Sequence, residues 1–426
     1  MSDNGKRGTA RSPILVVGGG ISGITAAIEA AETGFEVVLV EQNPFLGGRA
    51  IQMGKYFPKL CPPICGMEIN FQRIRRNPKL RLYTQAEVKA VSGEPGDFEV
   101  TLHLAPRYVT QRCTACGKCV EACPVERDNA FNYGLDRTRA IYLPHPMSVP
   151  MKYVIDDSVC PGGTCARCVP ACPAGAIELD NKSTILRLKV ASIIMATGWR
   201  PYDAGTIENL GFGRFPNVIT NVMMERLAAL DGHTEGKITR PSDGKEARDV
   251  AFVQCAGSRD ENHLPYCSAV CCLVSLKQAL YVRGQNPDAR VWIFYIDVRT
   301  PGCYEDFYLK VKADEGVRMV KGKVAVIKED LPTRNLIVEA EDTSMGSKLK
   351  VPADLVVLAT GMVPNQMDQK TATLLRCDEY GFMSSVAPKG GIYAGGVANA
   401  PADVAFCVRN STGISLKAIQ DVVRYG

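Results

Sequence analysis

The stretch that most constrains this chain lies near its start, where a glycine turn joins an apolar strand to an alanine-rich helix. The strand covers residues 14–17, and the turn reads Gly18-Gly-Gly20-Ile-Ser-Gly23. A second apolar strand follows the helix and ends at Glu41. This order is typical of a dinucleotide-binding βαβ unit. The alternative is a glycine-rich turn in an unrelated α/β fold.

Each glycine of the turn has a distinct expected role. Gly18 permits the tight turn, Gly20 lets the backbone approach a pyrophosphate, and Gly23 lets helix and strand pack closely. The N-terminus of the helix then points free N–H groups at the phosphates. Glu41 is expected to accept a hydrogen bond from a ribose hydroxyl. The pattern predicts dinucleotide binding but does not identify the dinucleotide.

Length, charge and cysteine content narrow the class of protein. A chain of 426 residues is long enough for about two to three domains. A net charge of +5 argues against a nucleic-acid partner. No apolar run reaches the roughly 20 residues of a membrane helix, so we expect no direct membrane insertion. The polar residues 1–11 lack a signal-peptide core and are expected to be a disordered tail. Seventeen cysteines without a secretory signal favour metal binding over disulfides.

Two cysteine runs match the bacterial ferredoxin pattern. Cysteines of the first run are Cys113, Cys116, Cys119 and Cys123, and those of the second, with a longer first gap, are Cys160, Cys165, Cys168 and Cys172; a proline follows each run. In such a pair the fourth cysteine of each run ligates the cluster of the other. The expected [4Fe–4S] ligand sets are therefore Cys113, Cys116, Cys119 and Cys172 for one cluster, and Cys160, Cys165, Cys168 and Cys123 for the other. A Cys₄ zinc site is the alternative, but the repeated run favours iron–sulfur clusters.

Several segments around these runs resemble two-dinucleotide-binding-domain flavoproteins. Residues 42–49 resemble the loop in which glycines and an arginine lie along FAD, and alternating strands at 80–83, 87–91 and 98–103 resemble the FAD-domain meander. Ala-Thr-Gly sequences occur at 196–198 and 359–361, and a closing helix is expected over 411–424. The expected FAD contacts are Gly18, Gly20, Ser22, Gly23, Glu41, Gln42, Gly48, Arg49, Val88, Ala196, Thr197, Gly198, Gly396 and Val397.

A second α/β unit follows a predicted linker at 203–248. A strand at 249–254, a helix at 268–283 and a strand at 290–295 have the layout of a nicotinamide domain. Only Gly257 remains where a glycine loop would stand, so the usual phosphate cradle is not expected. Four cysteines crowd this place instead: Cys255, Cys267, Cys271 and Cys272. Their spacing alone supports buried thiols and a third cluster equally.

The predicted fold class is therefore α/β, a two-dinucleotide-binding-domain flavoprotein of thioredoxin reductase type with an inserted bacterial ferredoxin-type domain. Residues 12–104, 182–205 and 358–426 are assigned to the FAD-binding domain. The insert covers 105–181 and holds two [4Fe–4S] clusters. Residues 206–357 form a second Rossmann-like domain with a degenerate nicotinamide site; strands at 317–320, 323–328, 335–340 and 348–351 are expected to lead the chain back to the first domain.

With Ala140-Ile-Tyr-Leu-Pro144 and Gln254-Cys-Ala-Gly-Ser-Arg259, these motifs make the chain similar to the A subunits of heterodisulfide reductases from Ile14 onward. The resemblance implies that Cys255, Cys267, Cys271 and Cys272 bind a third [4Fe–4S] cluster close to the flavin. It also implies that Lys277 lies near the flavin, where its charge would stabilise the reduced form. A surface lysine is the alternative. Cys61, Cys65, Cys303, Cys377 and Cys407 receive no role.

The length of the chain resembles that of the A subunits of the quinone-interacting membrane-bound oxidoreductases of sulfate-reducing bacteria. That resemblance implies a cytoplasmic subunit, peripheral to the inner membrane, which links the menaquinone pool to adenylylsulfate (APS) reductase. Its expected partners are a haem-containing membrane subunit and a second flavin and iron–sulfur subunit.

Two alternatives have different partners. An electron-bifurcating protein of the heterodisulfide reductase A type would pass electrons between a hydrogenase or dehydrogenase, ferredoxin and a disulfide-reducing subunit. A self-contained NAD(P)H-dependent disulfide oxidoreductase needs a CxxC dithiol beside the flavin and an intact second glycine loop, and the sequence offers neither. We therefore predict an oxidoreductase subunit that does not depend on NAD(P)H.

Overall fold

The computed structural model describes residues 12–365 and 375–425; the predicted tail at 1–11 lies outside them. The helices are α1 (Ile21–Glu32), α2 (Pro63–Arg76), α3 (Lys118–Glu121), α4 (Cys168–Ala171), α5 (Asn221–Leu227), α6 (Cys271–Gln285), α7 (Tyr304–Lys312) and α8 (Val404–Tyr425). The strands are β1 (Ile14–Val17), β2 (Val37–Glu41), β3 (Leu80–Thr84), β4 (Ala86–Glu94), β5 (Asp97–Leu104), β6 (Glu126–Asp128), β7 (Arg137–Arg139), β8 (Ile141–Tyr142), β9 (Val154–Ile155), β10 (Thr184–Val190), β11 (Ser192–Met195), β12 (Trp199–Pro201), β13 (Val218–Thr220), β14 (Asp249–Ala256), β15 (Arg290–Tyr295), β16 (Val317–Lys321), β17 (Val324–Asp330), β18 (Asn335–Asp342), β19 (Ser347–Ala353), β20 (Leu355–Thr360), β21 (Met362–Pro364) and β22 (Ile392–Ala394).

A five-stranded parallel sheet, in the order β22-β11-β1-β2-β3, carries the first glycine turn. Its central strands are uninterrupted aliphatic runs because both faces are buried. Ile14 and Val16 pack on the side of α1, α2 and α8. Leu15 packs on the other side, against the antiparallel sheet β10-β5-β4. The glycine turn thus lies at the carboxyl end of a central strand, between two packed layers.

The predicted meander needs a correction. The strand at 80–83 does not belong to it, because β3 pairs in parallel with β2 at the edge of the main sheet. The antiparallel sheet consists of β4, β5 and β10. An edge strand has one buried and one exposed face, so its alternating pattern is the same as that of a meander strand.

The second half of the molecule repeats this architecture. Its parallel sheet has the order β13-β20-β14-β15-β16, and an antiparallel sheet β17-β18-β19 accompanies it. Strands β16 to β20 therefore belong to this half, which extends to Thr360, three residues beyond the predicted boundary at 357. The chain returns only after Thr360, where β21 pairs with β12.

Three helical or linker predictions were also inexact. The stretch 203–248 contains β13 and α5, both packed into the second half, so it is not simply a linker. Helix α6 begins at Cys271 instead of residue 268. Helix α8 begins at Val404, seven residues before the predicted start at 411.

The cysteine-rich segment leaves the first half between β5 and β10. These strands pair with each other, so that Leu104 lies opposite Thr184 and the two ends of the segment meet. Between them lie α3, α4, the two-stranded sheets β6-β7 and β8-β9, and a small core that includes the cysteines. In the described part of the chain, no helix is both long and apolar enough to cross a membrane.

Candidate cofactor sites

A cavity of 820 Å³ opens beside the first glycine turn. Its volume lies within the range of about 300–1,000 Å³ that is usual for ligand and cofactor sites. All predicted FAD contacts line it except Gly23 and Gly396, namely Gly18, Gly20, Ser22, Glu41, Gln42, Gly48, Arg49, Val88, Ala196, Thr197, Gly198 and Val397. The structure therefore brings residues from four distant parts of the sequence around one space.

Gly23 and Gly396 lie behind this lining. A Cβ at Gly23 would stand 1.8 Å from the carbonyl oxygen of Gly18, and one at Gly396 would stand 2.0 Å from Oγ of Ser22. Gly20 differs, since a Cβ there would meet nothing nearer than 3.8 Å. Gly23 is thus needed for packing, whereas Gly20 leaves its backbone open toward the cavity.

Glu41 ends β2 and holds the turn in place. The side chain is buried, with 5% of the residue exposed. Oε2 accepts from the Gly19 N–H at 2.6 Å, and Oε1 accepts from the Asn43 N–H at 2.7 Å. Burial raises the pKa of this carboxyl, while these hydrogen bonds oppose the shift. The Asn43 side-chain amide also donates to Oε1 at 2.7 Å. Glu41 lines the cavity, which is where a ribose hydroxyl is expected to meet it.

Lys277 is not a surface residue, so that alternative is wrong. Only 1% of it is exposed, and it lines the cavity. Nζ donates to the Lys55 carbonyl at 2.6 Å and forms an ion pair with Glu225 at 2.9 Å. Burial lowers the pKa of Lys277, and Glu225 partly counters this. Since an unpaired buried charge is strongly destabilising, Glu225 is what lets a lysine remain here.

Glu225 is a residue that the sequence did not single out. Its carboxylate also accepts from Gln278 Nε2 at 2.6 Å, from the Tyr281 hydroxyl at 3.1 Å and from the Gly54 N–H at 3.0 Å. The contacts span both halves of the molecule. It lies on α5, in the stretch predicted to be a linker, and no local motif marks it.

Cysteines of the two ferredoxin-type runs lie close to each other in the structure. Cys119 interacts electrostatically with Cys113 of its own run and with Cys172 of the other. Burial, together with these neighbours, raises the pKa of Cys119 to about 12. Bound iron would offset that cost, since a coordinating thiol is deprotonated by the metal.

The second ligand set is assembled in the same way. Cys168 interacts with Cys160 and Cys165 of its own run and with Cys123 of the other, and burial raises its pKa. All four cysteines line one small pocket. The second set is thus grouped in full, and Cys113, Cys119 and Cys172 of the first set lie together.

The four cysteines of the second half also lie together. Cys271 is buried and interacts electrostatically with Cys255, Cys272 and Cys267. Burial raises its pKa well above the ordinary value. Cys255 has a φ of +57° at an irregularity between β14 and β20, where β14 has one extra residue, a feature that changes the direction of nearby side chains.

A local feature links this group to the ferredoxin runs. The N–H of Ala269 donates to Cys267 Sγ at 3.4 Å, and the N–H of Ala115 donates to Cys113 Sγ at 3.4 Å. Both alanines are left-handed, with φ of +62° and +56°. N–H bonds to cysteine sulfur are among the features that tune iron–sulfur clusters. The donor set and the backbone at Cys255–Cys272 therefore fit a [4Fe–4S] cluster.

Among the described residues, no three His, Cys, Asp or Glu side chains converge closely enough to hold a single metal ion. A [4Fe–4S] cluster needs a wider spacing of its thiolates, because four iron atoms lie between them.

Helix α6 connects the third cysteine group with the cavity. Val270, just before the helix, and Val274 and Lys277 within it line the cavity. Cys271 and Cys272 lie between them and face the other cysteines. The first two turns of α6 therefore present one face to the expected flavin and another to the expected cluster.

Comparison with protein families supports both cofactors. Residues 13–75 match a family model described as FAD dependent oxidoreductase, and residues 106–126 match a 4Fe-4S binding domain. These matches confirm the predicted oxidoreductase class with FAD and a ferredoxin-type motif. They do not fix the number of clusters.

Solved structures show the same fold. Thioredoxin reductase of T. acidophilum superposes with a TM-score of 0.52 at 14% identity, covering 97% of this chain and 100% of that one. Bacillithiol disulfide reductase of Bacillus cereus gives 0.51 at 14% identity, covering 97% and 99%. Together with the ferredoxin match, this confirms the predicted fold class.

Curated relatives are more similar in sequence. One of the iron–sulfur A subunits of CoB–CoM heterodisulfide reductase from Methanopyrus kandleri is 40% identical over 95% of this chain and 63% of its own length. The corresponding protein of Methanocaldococcus jannaschii is 40% identical over 94% and 62%. The chain thus spans about three fifths of the length of these relatives.

Proposed function

Because the chain is homologous over nearly its whole length to the A subunits of heterodisulfide reductases, we propose that it is the FAD- and iron–sulfur-containing electron-transfer subunit of such a complex. This is the alternative that the sequence offered. The relatives favour it over the quinone-linked role, for which menaquinone, APS reductase and a haem subunit were predicted.

The main support for the proposal is that α6 contributes residues both to the cavity and to the third cysteine group. Val274 and Lys277 line the cavity, whereas Cys271 and Cys272 on the same helix belong to the third cysteine group. FAD, when bound, converts between two-electron and one-electron transfer, and each cluster carries one electron. A flavin in this cavity would have a cluster on the far side of one helix.

The side chains of this site have positioning and electrostatic roles. Gly20 and Glu41 would hold the pyrophosphate and ribose parts of FAD. Lys277 brings a positive charge to the cavity wall, and Glu225 holds that charge in place. A positive charge near the flavin favours the added negative charge of the reduced form. We assign no residue an acid–base role.

Names of relatives suggest the partners. One from Methanothermobacter thermautotrophicus, 36% identical, is named as belonging to an H(2):CoB-CoM heterodisulfide,ferredoxin reductase. By analogy, we infer that partner subunits of this chain act on a disulfide and on ferredoxin, and that this chain passes electrons between them.

The proposal is tested by anaerobic reduction of purified, cluster-loaded protein. Dithionite, as a one-electron donor, is expected to reduce both flavin and clusters, followed by absorbance and by electron paramagnetic resonance (EPR). NADH or NADPH alone is expected to leave the flavin oxidised. Rapid bleaching of the flavin by either nucleotide would contradict the proposal, because it requires a working nicotinamide site.

A further inference from the structure

We propose that the cysteine-rich insert completes the FAD site, with Arg127 and Tyr142 contacting the adenosine half of the bound cofactor. FAD affinity then depends on an assembled insert. The inference rests on the proposed function in one respect, namely that FAD occupies the cavity.

Part of the cavity wall comes from the insert. The contributing residues lie on β6, on β8 and between or just after them: Arg127, Ala130, Phe131, Tyr133, Tyr142 and Pro144. The residues of the first glycine turn line another part of the same cavity. The cofactor would therefore lie between the first parallel sheet and the insert.

The insert is docked at the adenosine end of the cavity. Arg107 donates to the Pro44 carbonyl at 2.9 Å and to Thr84 Oγ1 at 3.3 Å. Its guanidinium also donates to the Lys152 carbonyl of the insert at 3.0 Å. Pro44 lies three residues after Glu41, the carboxylate expected to meet the ribose. Thr84 is the last residue of β3, and the next strand, β4, contains the predicted FAD contact Val88. This clamp sets the insert against the half of the site that faces ribose and adenine.

Arg127 and Tyr142 form a ready surface there. The Arg127 guanidinium lies 4.1 Å from the centre of the Tyr142 ring, and it pairs with Asp156 at 3.3 Å. Burial raises the pKa of Tyr142, so its ring stays neutral. Aromatic and guanidinium planes are the surfaces on which nucleobases stack.

Arg127 also has an unused donor. Its Nε is buried and has no hydrogen-bond partner among the described residues. Buried polar atoms are nearly always paired, and an unpaired one calls for an explanation such as a ligand. An acceptor on the adenosine half of FAD would supply the missing partner only if the Arg127 side chain shifts on binding, because Nε is closed off from the cavity.

The opposite face of β8 meets a cluster site. Ile141 lines the small pocket formed by Cys123, Cys160, Cys165 and Cys168. The next residue, Tyr142, lines the large cavity, because successive residues of a strand point to opposite faces. The Arg127 guanidinium lies against the Tyr142 ring. Assembly of this cluster would therefore fix Tyr142 and the guanidinium packed on it, and by linkage FAD would stabilise the assembled insert.

The test is the FAD dissociation constant of cluster-loaded protein, measured by flavin fluorescence after reversible removal of FAD. Arg127→Ala and Tyr142→Ala are each expected to raise Kd at least about tenfold, as base-stacking residues do. Tyr142→Phe is expected to stay near the wild-type value. Arg139→Ala is the matched control, because Arg139 lies on β7, pairs with Glu126 and does not line the cavity.

Iron content is measured on the same samples, so that a collapsed insert is recognised. Unchanged Kd in both alanine variants with full iron would overturn this inference and leave the proposed function intact. Wild-type protein that has full iron but binds no FAD would instead overturn the proposed function. A second arm removes the clusters with an oxidant and chelator, and FAD is expected to be released in proportion to the iron lost; full retention of FAD would contradict the linkage.

Discussion

The two halves of this molecule use the same position in opposite ways. In each half, a central strand of a five-stranded parallel sheet leads through a turn into a helix. The first turn consists of residues 18–20, and α1 follows at once. The second covers residues 257–270 before α6 begins. Ligands of open α/β sheets lie at the carboxyl ends of the strands, so both turns occupy a binding edge.

The chemistry of the two turns differs because their side chains differ. Gly18, with a φ of +110°, must be glycine because a Cβ there would stand 2.2 Å from the Ala196 carbonyl oxygen, and Gly20 leaves its backbone open to a ligand. Cys255, with a φ of +57°, adopts a conformation that is uncommon for residues with a side chain. A Cβ at Gly257 would stand 2.5 Å from the Tyr202 ring, so side chains fill the space beside the second turn. The first turn exposes backbone at the proposed nucleotide site, whereas the second turn, with β14 and α6 on either side of it, brings together the four thiols of the proposed cluster.

The largest effect is expected from a change at the start of α1, just after the first turn. Gly23→Ala places a Cβ 1.8 Å from the Gly18 carbonyl oxygen and forces α1 away from β1. We expect loss of bound FAD and a free energy of unfolding lower by about 1–3 kcal/mol. FAD content after gel filtration and urea unfolding measure these effects.

Gly66→Ala is the matched control, since a Cβ on this α2 glycine meets nothing within 4 Å. It should keep FAD and gain up to about 1 kcal/mol in stability. Stoichiometric FAD in Gly23→Ala would contradict the requirement for close packing of α1 against β1 beside the first turn.

The cluster proposed beside the second turn is tested by Cys271→Ser, at the first residue of α6. Loss of a buried ligand should remove one cluster, or about four iron atoms, while FAD and the two ferredoxin-type clusters remain. Cys303→Ser, at an exposed cysteine outside the three groups, should keep all its iron. Equal iron content in the two variants would contradict the claim that Cys271 is a cluster ligand beside the second turn.

Substitution of Lys277 tests whether α6 places a positive charge beside the flavin. Lys277→Met leaves Glu225 buried without its ion-pair partner, which should lower the free energy of unfolding by about 3–5 kcal/mol. Adding Glu225→Gln should recover much of that loss. Lys277→Met alone should shift the flavin midpoint potential to more negative values, because the positive charge is gone while the Glu225 carboxylate stays at the cavity wall. The double variant removes both charges and should shift the potential less. An unchanged potential in Lys277→Met would remove Lys277 from the flavin site.

The smallest effect is expected at Gln254, just before Cys255. Its Oε1 accepts from Cys272 Sγ at 3.0 Å, and its buried Nε2 has no partner among the described residues. A thiolate ligand can only accept, so the amide is expected to turn its N–H toward the sulfur. Gln254→Leu removes this donor and should lower the cluster potential by less than about 59 mV, the value of a tenfold change in a one-electron couple. Gln285→Leu, at the far end of α6, should leave the potential unchanged in EPR-monitored titrations.

Local sequence predicted both turns and the ferredoxin runs, because their chemistry lies in residues a few positions apart. It could not predict Glu225, Arg127 or Tyr142 as site residues, since their roles arise from contacts between distant segments. The start of α8 could have been predicted from the sequence, because Asp403 is a typical N-cap residue just before Val404. In the structure its carboxylate accepts from the Phe406 N–H at 2.6 Å.

The meander error has a different origin. An edge strand of a parallel sheet and a strand of an antiparallel sheet both alternate apolar and polar residues, so the pattern of β3 carries no information about its partner. Only the observed pairing with β2 decides it.

The most direct measurement of the contrast between the turns is the iron and FAD content of the anaerobically reconstituted wild-type protein. Three [4Fe–4S] clusters and one flavin correspond to about twelve iron atoms per FAD. About eight iron atoms per FAD, with both ferredoxin-type clusters present, would contradict the claim that the second turn binds a cluster in place of a nucleotide.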